Sequence, residues 1–155
     1  MNAKEKHRLH NNWEYAQKYW KQRYKKLGLK EWSIKKNHTK TSLGICDHGK
    51  KTIFISTYFM RGPSCNYSRV KDTIIHEIAH ALTPGQNHNM IWKKQCIALG
   101  GSGKIRDKMD IPPRNWAMSC RKCKWLKEYY RKPRMDGKVC LKCKSRPTLK
   151  SIKRN

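Results

Sequence analysis

The sequence predicts an α+β protein in two parts, and three observations carry that expectation. Short runs of β-branched and aromatic residues between Trp32 and Phe59 read as strands; residues at helical period surround "HEIAH" at 76–80; two CxxC pairs follow from Cys120. At 155 residues the chain has room for one real core and a small appendage. The expected boundaries are a main domain over 1–103, a basic connector over 104–119, and a cysteine-paired module with a basic tail over 120–155.

"WEYAQKYWKQRYKK" at 13–26 sets Trp13, Trp20 and Tyr24 at helical spacing, and Gly28 supplies a stop. "EWSIKK", "TSLGICDH" and "GKKTIFISTYF" read as two or three antiparallel strands separated by turn residues. "RGPSCNYS" is a loop, and Ser68 is the expected cap of a helix over 69–82. On a helical wheel Val70, Ile74, Ile75, Ile78, Ala79 and Leu82 share one face, whereas Thr73, His76, Glu77 and His80 share an opposite arc of about 100°. One face should pack on the sheet and the other should look into a cleft. Thr83 before Pro84 and the reversal available at Gly85 end that helix. A second helix is expected from His88 to Leu99, with His88, Trp92, Cys96 and Leu99 along its inward stripe.

Lys and Arg number 37 against 10 acidic residues, a net charge of +27, which points to a polyanionic partner. Nucleic acid is favoured over a membrane, because no apolar run approaches the ~18 to 20 residues of a spanning helix. Residues 104–155 carry +14 of that charge. The start, "MNAKEKHRLH", is not an apolar leader, so a cytoplasmic protein, or a nuclear one in a eukaryote, is expected; a monomer is favoured. Seven cysteines, four of them in CxxC pairs, read as metal ligands in a reducing compartment; Cys46, Cys65 and Cys96 read as free thiols.

His76 and His80 lie one turn apart, about 6 Å along the axis, so both imidazoles can reach one metal. Glu77 points along a different azimuth and suits a general base acting on a water at that metal. A hydrolytic zinc usually has three protein ligands, and the candidates for the third are His88, Glu77 itself, Asp107 or Asp110, and His38 or His48. His88 is preferred, because the turn at Pro84 and Gly85 folds the next segment back on the first helix. Cys120 and Cys123, sixteen residues before Cys140 and Cys143, match a tetrahedral four-thiolate zinc, closed and therefore structural. Two zinc ions per chain are expected. Arg121, Lys122, Lys124, Lys142 and Lys144 on the cysteine knuckles, with Trp125, Arg131, Lys132 and Arg134 between them, are the candidate nucleic-acid contacts. The alternative for Trp125 and Tyr129 and Tyr130 is packing rather than base stacking.

"EWSIKKN", "SLGIC", "KKTIFIS", "VKDTIIHEIAHAL", the histidine and tryptophan of "NHNMIW", and the two cysteine knuckles together resemble the SprT-like metalloproteases, across about Trp32 to Cys143. The resemblance implies a zincin-like main domain and a C-terminal zinc ribbon. It implies His76, His80 and His88 as zinc ligands and Glu77 as the catalytic glutamate. It also implies DNA, single-stranded or of single-stranded character, as partner and DNA-bound or DNA-crosslinked proteins as substrates. "KTIFIS" resembles the family's sheet edge, where an extended polypeptide adds as a strand. Relatives often carry a Gly- and His-rich stretch before the third ligand; here it reads "GQN", and Asn89 follows His88. A non-proteolytic DNA-binding zinc protein is the alternative reading.

Overall fold

The computed structural model describes residues 1–107 and 114–152. The chain divides into two compact units, Met1–Ile111 and Pro112–Asn155.

In the first unit, helix α1 (Ala3–Arg23) begins ten residues before the expected start at Trp13. Asn2 accepts from the Glu5 N–H, and the Glu5 carboxylate accepts from the Asn2 N–H, so a reciprocal capping box nucleates the helix in a polar stretch that hydrophobic periodicity does not reveal. Ala16, Tyr19 and Trp20 bury its inner face. Asn12 is buried with them, because its side-chain N–H donates to the Met60 carbonyl at 2.7 Å.

Strands β1 (Ser33–Asn37), β2 (Gly44–Asp47) and β3 (Thr52–Ser56) form one sheet in the order β1-β3-β2. The sheet is mixed, not antiparallel as expected. The chain turns back between β1 and β2 and again between β2 and β3, so β1 and β3 run the same way, and they pair directly with Ile34 opposite Ile53. β2 pairs antiparallel with the other side of β3, Cys46 opposite Ile53. "KTIFIS" is therefore the central strand rather than an edge. Ile53 and Ile55 are fully buried, whereas β2 forms the border.

The expected strand through Phe59 stops at Ser56. Its side chain accepts from the Phe59 N–H and starts a one-turn helix, α2 (Thr57–Arg61), which contributes Phe59 and Met60 to the core. Helix α3 (Tyr67–Leu82) is capped by Asn66 rather than Ser68, with the Asn66 side chain accepting from Arg69 N–H at 3.0 Å. Val70, Ile74, Ile75, Ile78 and Ala79 form the apolar face read from the wheel. Helix α4 (Met90–Ala98) starts two residues later than expected, capped by Asn89, and buries Trp92 and Cys96.

The second unit holds β4 (Trp116–Ser119), β5 (Leu126–Tyr129) and β6 (Thr148–Ser151), an antiparallel sheet in the order β5-β4-β6. Its buried residues include Met118, Cys120 and Cys140, a small apolar content that calls for another source of cohesion.

Candidate metal centre and active-site cleft

α3 presents His76 and His80 one turn apart, and the loop after it brings His88 to them. Thr83 leaves the helix with its N–H still bonded to the Ala79 and His80 carbonyls. Gln86 N–H then closes a turn on Thr83, with Gly85 at φ 77°. His88 is not the first residue of α4. It stands before the cap in the left-handed region, φ 53°, a conformation that costs a non-glycine residue energy and re-aims its ring. Asn89 stabilises the kink: its carbonyl oxygen accepts from Ile91 and Trp92 N–H, and its amide donates to Gln86.

The result is a triangle of nitrogens. Nε2 of His88 lies 3.0 Å from Nε2 of His80 and 3.0 Å from Nε2 of His76. Hydrogen bonding alone does not account for it, since one neutral ring nitrogen has either one proton or one lone pair and cannot serve two partners. Three lone pairs directed at one cation can, and tetrahedral ligands at zinc distances stand ~3.3 Å apart, close to what is present. Burial lowers the His80 pKa to about 4, and burial also holds His76 and His88 below the usual imidazole value. All three rings are therefore neutral, the ligating form, at neutral pH. Trp92 floors the triangle, its ring centroid 4.6 Å from those of His76 and His88 and 5.2 Å from that of His80.

Glu77, expected to face the cleft with the histidines, is 6% exposed because β2 lies over it. Its carboxylate accepts the Cys46 N–H, and burial pushes its pKa up to about 8. The approach depends on Gly44, where a Cβ would stand 2.7 Å from a Glu77 carboxylate oxygen. Cys46 shares this seclusion: burial, with the nearby Glu77, lifts its thiol to about 12.

His76, Glu77, His80 and His88 line one cleft of about 740 Å³. β2 forms one wall, and residues 104–107 form another. The other third-ligand candidates go elsewhere. His38 Nδ1 bonds the Thr57 hydroxyl at 2.9 Å, and His48 packs edge-on against Trp32 while lining the cleft. Asp107 lines the cleft but pairs with Arg69 at 2.8 Å, and Asp110 lies outside the described residues. Sequence reasoning missed Gly44, Cys46, Trp92 and Lys104 as parts of the site, since each acts through backbone approach or packing. The Lys104 carbonyl accepts a hydrogen bond from His76, and only the folded chain brings them together.

In the second unit the four cysteine sulfurs lie within 4.8 Å of one another, with Cys120 to Cys143 at 3.5 Å and Cys140 to Cys123 at 3.8 Å. Sulfurs around a tetrahedral zinc stand ~3.8 Å apart, so the donor set fits a closed four-thiolate ion. The two knuckles share a backbone pattern: Cys120 N–H donates to the Trp125 carbonyl, Cys140 N–H to the Ser145 carbonyl. Lys124 and Lys144 take matching left-handed conformations, φ 52° and 58°. Trp125 donates its indole N–H to Cys140 Sγ at 3.2 Å, the main cause that draws the Cys140 thiol down to about 6. That commits the polar edge of Trp125 to the cysteine centre. Arg121, Lys122, Lys124, Arg131, Lys132, Arg134, Lys142 and Lys144 are exposed. The Lys132 ammonium lies over the Trp116 ring at 5.3 Å.

An α+β unit whose HExxH helix and following loop gather three imidazoles beside a buried carboxylate has the site features of the metallohydrolase class, and the same chain carries a four-cysteine centre. Residues 10–110 match the SprT-like family, and the chain belongs to that family, which is generally associated with zinc metallopeptidase activity. No curated protein matches the chain. No helix among the described residues is long and apolar enough to cross a membrane.

Proposed function

We propose that this chain is a zinc-dependent endopeptidase of zincin-like architecture that cleaves proteins bound or crosslinked to DNA. The supporting observation is Glu77, a buried ionisable carboxylate beside three convergent imidazoles in an open cleft. A site that only held a metal would gain nothing from a carboxylic acid buried at such a cost. Zinc bound by His76, His80 and His88 supplies Lewis acidity toward water and the scissile carbonyl. Glu77 takes the proton of the attacking water on a carboxylate oxygen and returns it to the leaving amine. The raised pKa suits that exchange, because a group poised near neutrality both accepts and releases a proton.

β2 rather than β3 is the strand along which a polypeptide would lie, since it borders the sheet and lines the cleft. The cysteine centre takes a second, structural zinc. The exposed cations of its knuckles, Arg121, Lys122, Lys124, Lys142 and Lys144, bind phosphates, with Arg131, Lys132 and Arg134 extending that surface and the ring face of Trp125 contributing stacking.

The deciding comparison is between wild type and Glu77→Gln on a protein bound to DNA. The variant should keep both zinc ions and lose cleavage by ~100-fold or more. Zinc-replete wild type that cleaves neither a DNA-bound protein nor itself in the presence of DNA would overturn the peptidase reading.

A further inference from the structure

Residues after α4 return along α3 as a strap, and its anchors are all on α3. Gly101 is so close to that helix that a Cβ would stand 2.6 Å from an Ile75 methyl carbon. Ser102 donates both its backbone N–H and its hydroxyl to the Asp72 carboxylate, each at 2.7 Å. Further along, Asp107 pairs with Arg69 at 2.8 Å. Between these anchors the Lys104 carbonyl receives a hydrogen bond from His76. With Nε2 of His76 directed at His88, the donor is the other ring nitrogen, Nδ1.

A neutral imidazole carries one proton, and only the tautomer with that proton on Nδ1 leaves the Nε2 lone pair free for a metal. A carbonyl facing Nδ1 selects that tautomer and fixes the ring plane. Asp72 sits one turn before His76 on the same helix and is half-buried. We propose that Asp72 is a positioning residue: by its paired hydrogen bonds to Ser102 it holds the strap where the Lys104 carbonyl keeps His76 in the zinc-binding tautomer. This rests on the reading of His76 as a zinc ligand.

The experiment uses the full-length chain with its cysteine centre loaded, and follows zinc at the histidine centre by chelator competition. Asp72→Ala should weaken that zinc by ~10-fold or more, the usual effect of losing a partner behind a ligand histidine. Ser102→Ala should weaken it by less, and the double variant should be no worse than Asp72→Ala, since both break one route. Asp72→Asn keeps an acceptor for the Ser102 N–H and a donor for its hydroxyl, so it should recover most of the affinity. In metal-free protein, 15N shifts of His76 should report the Nδ1–H tautomer in wild type and Asp72→Asn, and a mixture in Asp72→Ala and Ser102→Ala. Unchanged affinity and tautomer in Asp72→Ala, or in Ser102→Ala if the former does not fold, would overturn the proposal. So would an Asp72→Asn variant as weak as Asp72→Ala, since the effect would then be one of charge. None of these readouts involves cleavage, so an inactive wild type would end the peptidase reading and leave Asp72's role standing.

Discussion

Glu77 holds its proton to about pH 8 in the metal-free fold, whereas in the unfolded chain it loses it near 4.5. The folded state therefore binds the extra proton, and the stability linked to Glu77 is full below pH 4.5 and disappears as pH rises toward 8. His80 titrates the other way, from 6.5 unfolded to about 4 folded, so its contribution is complete above pH 6.5. Between pH 6.5 and 8 the Glu77 effect is thus the one that remains among these site residues. Metal-free wild type should lose stability relative to Glu77→Gln across that window, by on the order of 2 kcal/mol, measured by denaturant unfolding at stepped pH. The same carboxylate limits what Gly44 can become. Gly44→Ala should cost ~1 to 3 kcal/mol or displace the Glu77 side chain, visible as a lower melting temperature together with a loss of cleavage at full zinc occupancy. The residue types of the site were legible, because two histidines one helical turn apart and a glutamate beside the first form a pattern of side chains alone. The burial of Glu77 was not, because it comes from a strand some thirty residues away in sequence.

The loop between α3 and α4 shows how an element can deliver a ligand that neither helix could. A helix starting at His88 would carry that histidine on a regular helical azimuth. The left-handed residue before the Asn89 cap aims it instead at His76 and His80. His88→Ala should lower zinc content from two per chain to about one, as read by metal analysis after dialysis. Asn89→Ala should cost ~1 kcal/mol of stability through the lost cap and weaken the histidine-site zinc without changing the ligands. Asn89, a departure from the commoner residue of relatives, thus has a local purpose in capping α4 and holding Gln86. Helix existence was readable from periodicity, whereas both helix starts near the site shifted to asparagines, Asn66 and Asn89, because a cap depends on where the chain enters the helix.

At the scale of the molecule, charge and metal are divided between units: one with a substantial core and an open histidine cleft, the other with few buried apolar residues and a closed cysteine cluster. Neutralising Lys122, Lys124, Lys142 and Lys144 together should weaken DNA binding and reduce the slope of log affinity against log salt by up to ~3, measured by titration at several salt concentrations. An unchanged slope would move the phosphate contacts to the first unit, whose stretch 1–103 carries +13 of its own. The sequence by itself determined the α+β class, the apolar face of α3, and the seven histidine and cysteine side chains of the two centres, because periodicity and ligand spacing are local properties of a chain. Tertiary structure decided the mixed sheet with "KTIFIS" at its centre, the seclusion of Glu77 under β2, the tryptophan floor, and the strap that ties Asp72 to His76 through Ser102 and Lys104. Each of these joins residues distant in sequence, and such contacts are set by how whole elements pack rather than by any spacing along the chain.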